Sequence, residues 1–130
     1  MKLSLLFSIL IMAISLQSQS PADLAQQQLD AYNERNIDAF LAPYSDSIKI
    51  FTFPNTLQYT GKEKMRDRYD NMFKNTPGLH CKLLNRIVQG NTVIDQEEVT
   101  ISDDRDKLYA TAIYKIWDGL IQEVYFIYKK

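Results

Sequence analysis

Cysteine and histidine are almost absent from this chain. Its 130 residues include one cysteine, Cys81, and one histidine, His80. A single cysteine cannot form an intramolecular disulfide, so the fold must be stabilised by its core. Because Cys81 stands in an apolar segment, we expect a small buried hydrophobe rather than a nucleophile. His80 has no further ligand at metal-binding spacing, so we expect neither a metal site nor a cofactor.

The chain also lacks an excess of charge of either sign. Its 15 Lys and Arg residues and 16 Asp and Glu residues leave a net charge of −1, and no long basic run occurs. Nucleic acid is therefore not an expected partner. A glycine-rich phosphate loop and a Ser-His-Asp order are missing as well. The acidic segment 103–106 lacks the later glycine and glutamate of a calcium loop, and we interpret it as a solvated turn.

No apolar run is long enough to span a membrane. The longest, residues 3–16, follows Lys2 and has about 14 uncharged residues, whereas a spanning helix needs roughly 20. This pattern predicts a secretory signal peptide over residues 1–20, cleaved within 15–20, with a retained anchor or a buried helix as the alternative. The mature domain, residues 21–130, would then be secreted or periplasmic. We expect no membrane attachment, since no cysteine for lipidation follows the run.

Capping residues and apolar spacing predict three helices before the sheet-forming part of the chain. Ser20 can cap a helix that ends near Tyr32, and the apolar spacing places Tyr32 on its buried face. Asn36 can cap a second, short helix. Thr60 and Glu63 fit the capping-box pattern at the start of a third.

The remaining segments show alternation and turn dipeptides typical of antiparallel strands. The hairpin signals are Gly90-Asn91 and Asp118-Gly119. The predicted strands are residues 48–53, 79–89, 92–102, 107–117 and 120–128. If the second turn has two residues, Ile113 faces Val124 across it. Helices followed by a long antiparallel meander predict an α+β domain.

This order of elements resembles the nuclear transport factor 2-like superfamily. The resemblance is carried by residues 26–69, where a helix, a short helix, a strand and a capped third helix follow one another. It implies a cone-shaped α+β fold with three N-terminal helices packed on a curved, mostly antiparallel sheet around a pocket. The superfamily includes ketosteroid isomerases, scytalone dehydratases, SnoaL-like polyketide cyclases and many members without a known activity.

Three tyrosines give the closest match to the ketosteroid isomerases. Tyr32, Tyr44 and Tyr69 fall where those enzymes place hydrogen-bonded tyrosines around the oxyanion site. A phenol beside a pocket can donate to a developing oxyanion, although buried tyrosines commonly serve only in packing. The two carboxylates of those enzymes do not carry over, because Thr52 and Ala112 stand at their positions. We therefore expect no ketosteroid isomerisation.

A second resemblance concerns Gln96. Residues 86–99 are similar to the corresponding segment of small secreted SnoaL-like proteins, in which a histidine often stands at the position of Gln96. Histidine could transfer a proton near neutral pH and glutamine cannot. Gln96 can still orient a ligand, because its amide both donates and accepts hydrogen bonds.

Three acids surround Gln96 on the predicted strand 92–102. Strand alternation places Asp95 and Glu97 on one face and Glu98 on the other. Arg86 faces Asp95 across the first predicted hairpin, so a cross-strand ion pair explains Asp95 without invoking catalysis. Glu97 remains a candidate for ligand contact.

Aromatic residues are concentrated in the last two predicted strands. They are Tyr109, Tyr114, Trp117, Tyr125, Phe126 and Tyr128. They alternate over both sheet faces, whereas the helices of the same chain can cover only one face. The uncovered apolar face predicts a homodimer.

Together these patterns indicate a domain that binds a small apolar molecule. The expected ligand contacts are Tyr32, Tyr44, Tyr69, Gln96 and Glu97, and no catalytic residue is assigned. One alternative is an enzyme of the cyclase, dehydratase or isomerase kind that uses an acid of residues 95–98 as its base. Another is a protein-interaction module that uses the outer sheet face.

The signal peptide can be tested by N-terminal sequencing of the exported protein. We expect the mature chain to begin between Ser15 and Pro21, because the apolar run has the length of a signal sequence. Recovery of intact Met1 in the membrane fraction would contradict this expectation.

Overall fold

The computed structural model describes residues 18–129, which form three helices and six strands. In chain order they are α1 (Pro21–Glu34), α2 (Ile37–Leu41), β1 (Tyr44–Thr52), β2 (Thr56–Thr60), α3 (Lys62–Asn75), β3 (His80–Gln89), β4 (Thr92–Thr100), β5 (Leu108–Trp117) and β6 (Leu120–Tyr128). Most of the expected signal peptide lies outside the described residues. Within the described range, no helix has the length and apolarity needed to cross a membrane.

The predicted α+β class is confirmed. Two helices precede the sheet, and α3 follows β1, which covers most of the predicted strand 48–53, and β2. The sheet is mixed, with strand order β2-β1-β6-β5-β4-β3 and one parallel pair between β1 and β6. Strand β2 has no counterpart in the sequence prediction, since its burial pattern shows one buried residue, Tyr59, among exposed neighbours.

Local side chains define the ends of the first two helices as predicted. The Ser20 hydroxyl accepts from the Asp23 amide at 3.1 Å, and the Asp23 carboxylate accepts from the Ser20 amide at 3.0 Å. This reciprocal pair satisfies two backbone donors that the first helical turn leaves open. Helix α1 ends where Arg35 adopts a left-handed φ of 54°. The Asn36 side chain then caps α2 by accepting from the Ala39 amide at 3.1 Å.

The predicted capping box of the third helix is wrong. Thr60 is the last residue of β2, where its backbone pairs with Lys49, so its side chain does not cap a helix. Gly61 occupies the N-cap without a side-chain hydrogen bond and has a φ of 104°. Glycine suits this position because other residues rarely adopt such a φ.

The two hairpin registers were predicted with unequal success. Arg86 lies opposite Asp95, which confirms the first register. Ile113 lies opposite Tyr125 rather than the predicted Val124. The turn itself has two residues, but a bulge between Lys115 and Ile116 shifts by one position all the pairs that lie farther from the turn.

The helices cover one face of the sheet. Burial alternates along β4, where Asp95 and Glu97 are buried and Gln96 between them is exposed. Ala112 and Tyr114 continue the buried face on β5. This alternation separates an inner face, which packs against the helices, from an outer face that they leave uncovered.

The outer face carries large apolar groups that remain exposed. They are Leu84, Ile87, Tyr109, Trp117 and Ile127. Contiguous apolar groups of this kind mark interaction surfaces more often than scattered ones do. The homodimer stays a prediction, with this face as its expected interface.

Two adjacent positions on β3 provide a matched test of the dimer. Ile87 lies on the outer face with 54% exposure, and Val88 lies on the inner face with 48%. Sedimentation at micromolar concentration should show a dimer that Ile87→Lys dissociates and Val88→Lys does not, because only Ile87→Lys places a charge in the interface. A monomeric unaltered chain would contradict the prediction.

Candidate functional site

A cavity of about 380 Å³ lies between the helices and the inner face of the sheet. Seven aromatic side chains contribute to its wall, namely Tyr32, Phe40, Tyr44, Tyr69, Tyr114, Phe126 and Tyr128. Its charged lining residues are Glu97 and Arg105. The cavity is therefore largely apolar, with few polar groups, as is usual for small-molecule sites.

The structure brings together four of the five residues that the sequence indicated as ligand contacts. Tyr32, Tyr44, Tyr69 and Glu97 all line the cavity. Gln96 does not, because its side chain is exposed on the outer face, beside Thr111 and Ile127. Adjacent strand residues point to opposite faces, so Gln96 and Glu97 cannot both enter one cavity.

Phe40 of α2 lies at the centre of the aromatic wall. Its ring centroid is 4.6 Å from that of Tyr69, 5.4 Å from that of Tyr44 and 6.0 Å from that of Tyr32. These spacings are typical of packed aromatic pairs. Three elements of the fold thus hold the predicted tyrosines around one ring. Burial raises the pKa of Tyr32, Tyr44 and Tyr69, so their phenols stay protonated and able to donate.

A chain of buried hydrogen bonds connects Tyr44 with Glu97. The Tyr44 hydroxyl donates to Gln28 Oε1 at 3.0 Å, and Gln28 Nε2 donates to the Tyr114 hydroxyl at 3.0 Å. Tyr114 then donates to Glu97 Oε1 at 3.3 Å. Gln28 Nε2 also donates to the Ala25 carbonyl, which can only accept, and this contact fixes the orientation of the amide. Every donor in the chain is therefore directed toward the Glu97 carboxyl group.

Glu97 is the most perturbed acid of the site. Glu97 is only 8% exposed, and the pKa of its carboxyl group is raised to about 7. Burial is the main cause, and the nearby charge of Asp95 adds to it. Hydrogen bonds from Tyr114 and Cys81 act in the opposite direction, because they stabilise the carboxylate. Glu97 can therefore change its protonation state near neutral pH.

Cys81 is a buried neighbour of Glu97. Burial raises the pKa of the Cys81 thiol, and the adjacent Glu97 raises it further. The thiol is thus protonated and can donate to the carboxylate. This agrees with the expectation that Cys81 is no nucleophile, because a thiol must ionise to attack.

Asp95 is neutralised inside the protein. It is fully buried, and Arg86 donates to it through Nε at 2.7 Å and Nη2 at 2.9 Å. The Arg86 Nη1 group donates to Gln26 at 2.9 Å. The predicted cross-strand ion pair is confirmed, and its bidentate geometry is the strong form of such a contact.

Sequence reasoning missed Gln28 and Tyr114 as parts of the site. Gln28 interrupts the apolar stripe of α1 between Ala25 and Leu29, which is the signal that could have identified it. A polar side chain on a buried helix face requires a partner. Tyr114 could not be distinguished from the other aromatic residues of the last hairpin without the register of the sheet.

The positions of the two isomerase carboxylates have no acid in the structure either. Thr52 ends β1 and lies by a second, shallower pocket, whereas Ala112 is buried opposite Asp95. Within residues 18–129, no group of three or more metal-binding side chains comes together. Among the described residues that line the cavity, Glu97 is the one with a carboxyl group.

The perturbed acid predicts a pH-dependent stability. Because the pKa of Glu97 is raised from 4.5 to about 7 on folding, ionisation of Glu97 costs stability as the pH rises through this range. Glu97→Gln removes the titration. The unaltered protein should therefore lose stability relative to Glu97→Gln as the pH rises. Between about pH 4 and pH 8, the difference in free energy of unfolding should shift in favour of Glu97→Gln by on the order of 3 kcal/mol.

Urea unfolding at several pH values measures this difference. Glu98→Gln, on the outer face of the same strand, is the matched control and should not reproduce the gain. A constant difference between Glu97→Gln and the unaltered protein would show that Glu97 ionises normally in the fold.

Comparison with known proteins identifies the family. The SnoaL-like domain family matches residues 25–124. No curated protein matches the chain at a significant level.

Three solved structures illustrate the similarity of fold. An uncharacterised cystatin-fold protein of Novosphingobium aromaticivorans has 22% identity and a TM-score of 0.76 over 84% of this chain and 98% of its own. A nuclear transport factor 2-like protein of unknown function from Cytophaga hutchinsonii has 16% identity and a TM-score of 0.72, with 88% and 94% covered. An LEH-like epoxide hydrolase of M. tuberculosis has 13% identity and a TM-score of 0.68, with 84% and 82% covered.

At these identities the structural matches establish the fold alone, whereas the family match covers most of the sequence. The resemblance to the nuclear transport factor 2-like superfamily is thereby confirmed. The chain belongs to the SnoaL-like domain family.

Proposed function

We propose that this domain binds a small, mostly apolar molecule in the cavity and contacts its polar group through Glu97. The observation that carries the proposal is a single buried carboxyl group in an aromatic wall, with hydrogen-bond donors arranged around it. A carboxyl group is costly to bury in such surroundings, and a ligand that contacts it offsets part of that cost. Tyr32, Tyr44 and Tyr69 complete the wall.

The size of the cavity supports this proposal. A volume of about 380 Å³ falls at the lower end of the range of roughly 300–1,000 Å³ that is typical of ligand pockets. Apolar side chains from the helices and the sheet, such as Leu29, Met72 and Val99, also line the cavity. A compact molecule with one polar group matches both the volume and the lining.

Catalysis of a proton transfer is a second candidate, favoured by the pKa of Glu97. A general base works best when its pKa lies near the working pH, and the value of about 7 meets that condition. Tyr32 or Tyr69, whose phenols line the cavity in protonated form, could then stabilise negative charge that develops on the ligand. The test is carried out in deuterium oxide. The unaltered protein should catalyse the exchange of a carbon-bound hydrogen of the ligand for deuterium, and Glu97→Gln should not.

The site of action and the assembly are further parts of the proposal. The apolar run of residues 3–16 after Lys2 supports export, so we propose that the domain works in a secreted or periplasmic setting.

The exposed apolar groups of the outer face support a homodimer. The same face would serve a protein partner if the domain were an interaction module.

Two adjacent positions on β5 provide a matched test of ligand binding. Ala110 lines the cavity, whereas Thr111 points to the outer face. Adamantylmethanol, a compact apolar alcohol, should bind to the unaltered protein and to Thr111→Phe. It should bind at least about tenfold more weakly to Ala110→Phe, because the new ring occupies the cavity.

Calorimetry gives the affinities, and amide chemical shifts locate the ligand. Tyr32→Phe should weaken binding by about 0.5–1.5 kcal/mol if its hydroxyl contacts the ligand. Equal affinity of the Ala110→Phe and Thr111→Phe variants, or no binding to the unaltered protein, would contradict the proposed function.

A further inference from the structure

The inner face of the sheet contains two acids and one guanidinium group. Asp95 and Arg86 form a bidentate pair, and the remaining Arg86 contact is to Gln26. None of the ion pairs formed within residues 18–129 includes Glu97. An ionised Glu97 is thus a buried negative charge without an ion-pair partner among the described residues.

Neutral donors face Glu97 from the neighbouring strands. Tyr114 on β5 and Cys81 on β3 donate to its carboxylate, and both groups are protonated because their pKa values are raised. The other titratable groups that interact electrostatically with Glu97 are Asp95, Arg86, Tyr32, Tyr44 and Tyr128. Asp95 and Arg86 neutralise each other, and the tyrosines are uncharged. Burial raises the pKa of Glu97 to about 7, and above that pH its ionisation leaves one negative charge to be balanced.

We propose that the ligand is an apolar amine whose ammonium group provides the missing cation beside Glu97. This inference rests on the proposed function, because it names the chemical class of molecule that the cavity binds. The ammonium group would donate to the Glu97 carboxylate, which accepts from Tyr114 and Cys81 and has further acceptor capacity. The aromatic rings of the wall would attract the same cation through their faces.

Other ligand classes fit the cavity less well. An anionic ligand would place a second uncompensated negative charge beside an ionised Glu97. A neutral carbonyl ligand would require a protonated Glu97 as its donor, so its affinity should fall as the pH rises through about 7 and Glu97 ionises. Arg105 also lines the cavity, but it is exposed, so solvent and salt screen its repulsion of an ammonium group.

A matched pair of probes tests the inference. Adamantylmethylamine and adamantylmethanol have the same apolar body and differ in the polar group. At about pH 8 the amine is cationic and Glu97 is ionised, so the amine should bind about tenfold to a hundredfold more tightly than the alcohol, the effect of one charge-assisted hydrogen bond. As the pH falls below about 7, the preference should shrink, because Glu97 takes up a proton.

Two substitutions on β4 separate the possible results. Glu97→Gln should abolish the preference for the amine over the alcohol. Glu98→Gln, which removes one charge from the outer face, should leave both affinities unchanged. Equal affinities for the two probes at every pH, or an amine preference that survives Glu97→Gln, would overturn the inference and leave the proposed function standing. Failure of both probes to bind to the unaltered protein would overturn the two proposals together.

Discussion

Two buried carboxyl groups on one strand form the constraint on which the rest of the site depends. Asp95 and Glu97 are two residues apart on β4, so both side chains must point to the inner face. Arg86 on the adjacent strand neutralises Asp95 at 2.7 Å. Glu97 has no such partner within the described residues, and the fold gives it hydrogen-bond donors instead. Of these two neighbouring acids, Asp95 is therefore held in an ion pair, and Glu97 is left with a raised pKa beside the cavity.

The hydrogen-bond chain links this constraint to the helices. Gln28 on α1 joins the Tyr44 hydroxyl to the Tyr114 hydroxyl, so one amide spans the layer between β1 and β5. A buried polar network of this kind is stabilising only when all of its members have partners. Gln28 achieves this with the Ala25 carbonyl as its additional acceptor. The same network thus fixes the helix on the sheet and directs donors toward Glu97.

Sequence patterns predicted local structure better than they predicted the site. The caps at Ser20 and Asn36 involve neighbours in sequence, so they could be recognised without the fold. The register of the last hairpin was wrong by one position, because a bulge depends on packing rather than on the turn. The sequence predicts both Gln96 and Glu97 as ligand contacts, although strand alternation allows only one of the two side chains to face the cavity. The hydrogen-bond partners of Glu97 come from distant segments, which no local pattern could bring together.

The site depends on Glu97, a buried acid in an apolar cavity whose pKa is raised to about 7. The most direct measurement is a titration of the Glu97 side-chain carboxyl carbon by NMR, with Glu97→Gln used to assign the signal. The structure predicts a midpoint of about 7, shifted upward from the ordinary value of 4.5 by burial. A midpoint close to 4.5 would mean that Glu97 is solvated, and would contradict this account of the site.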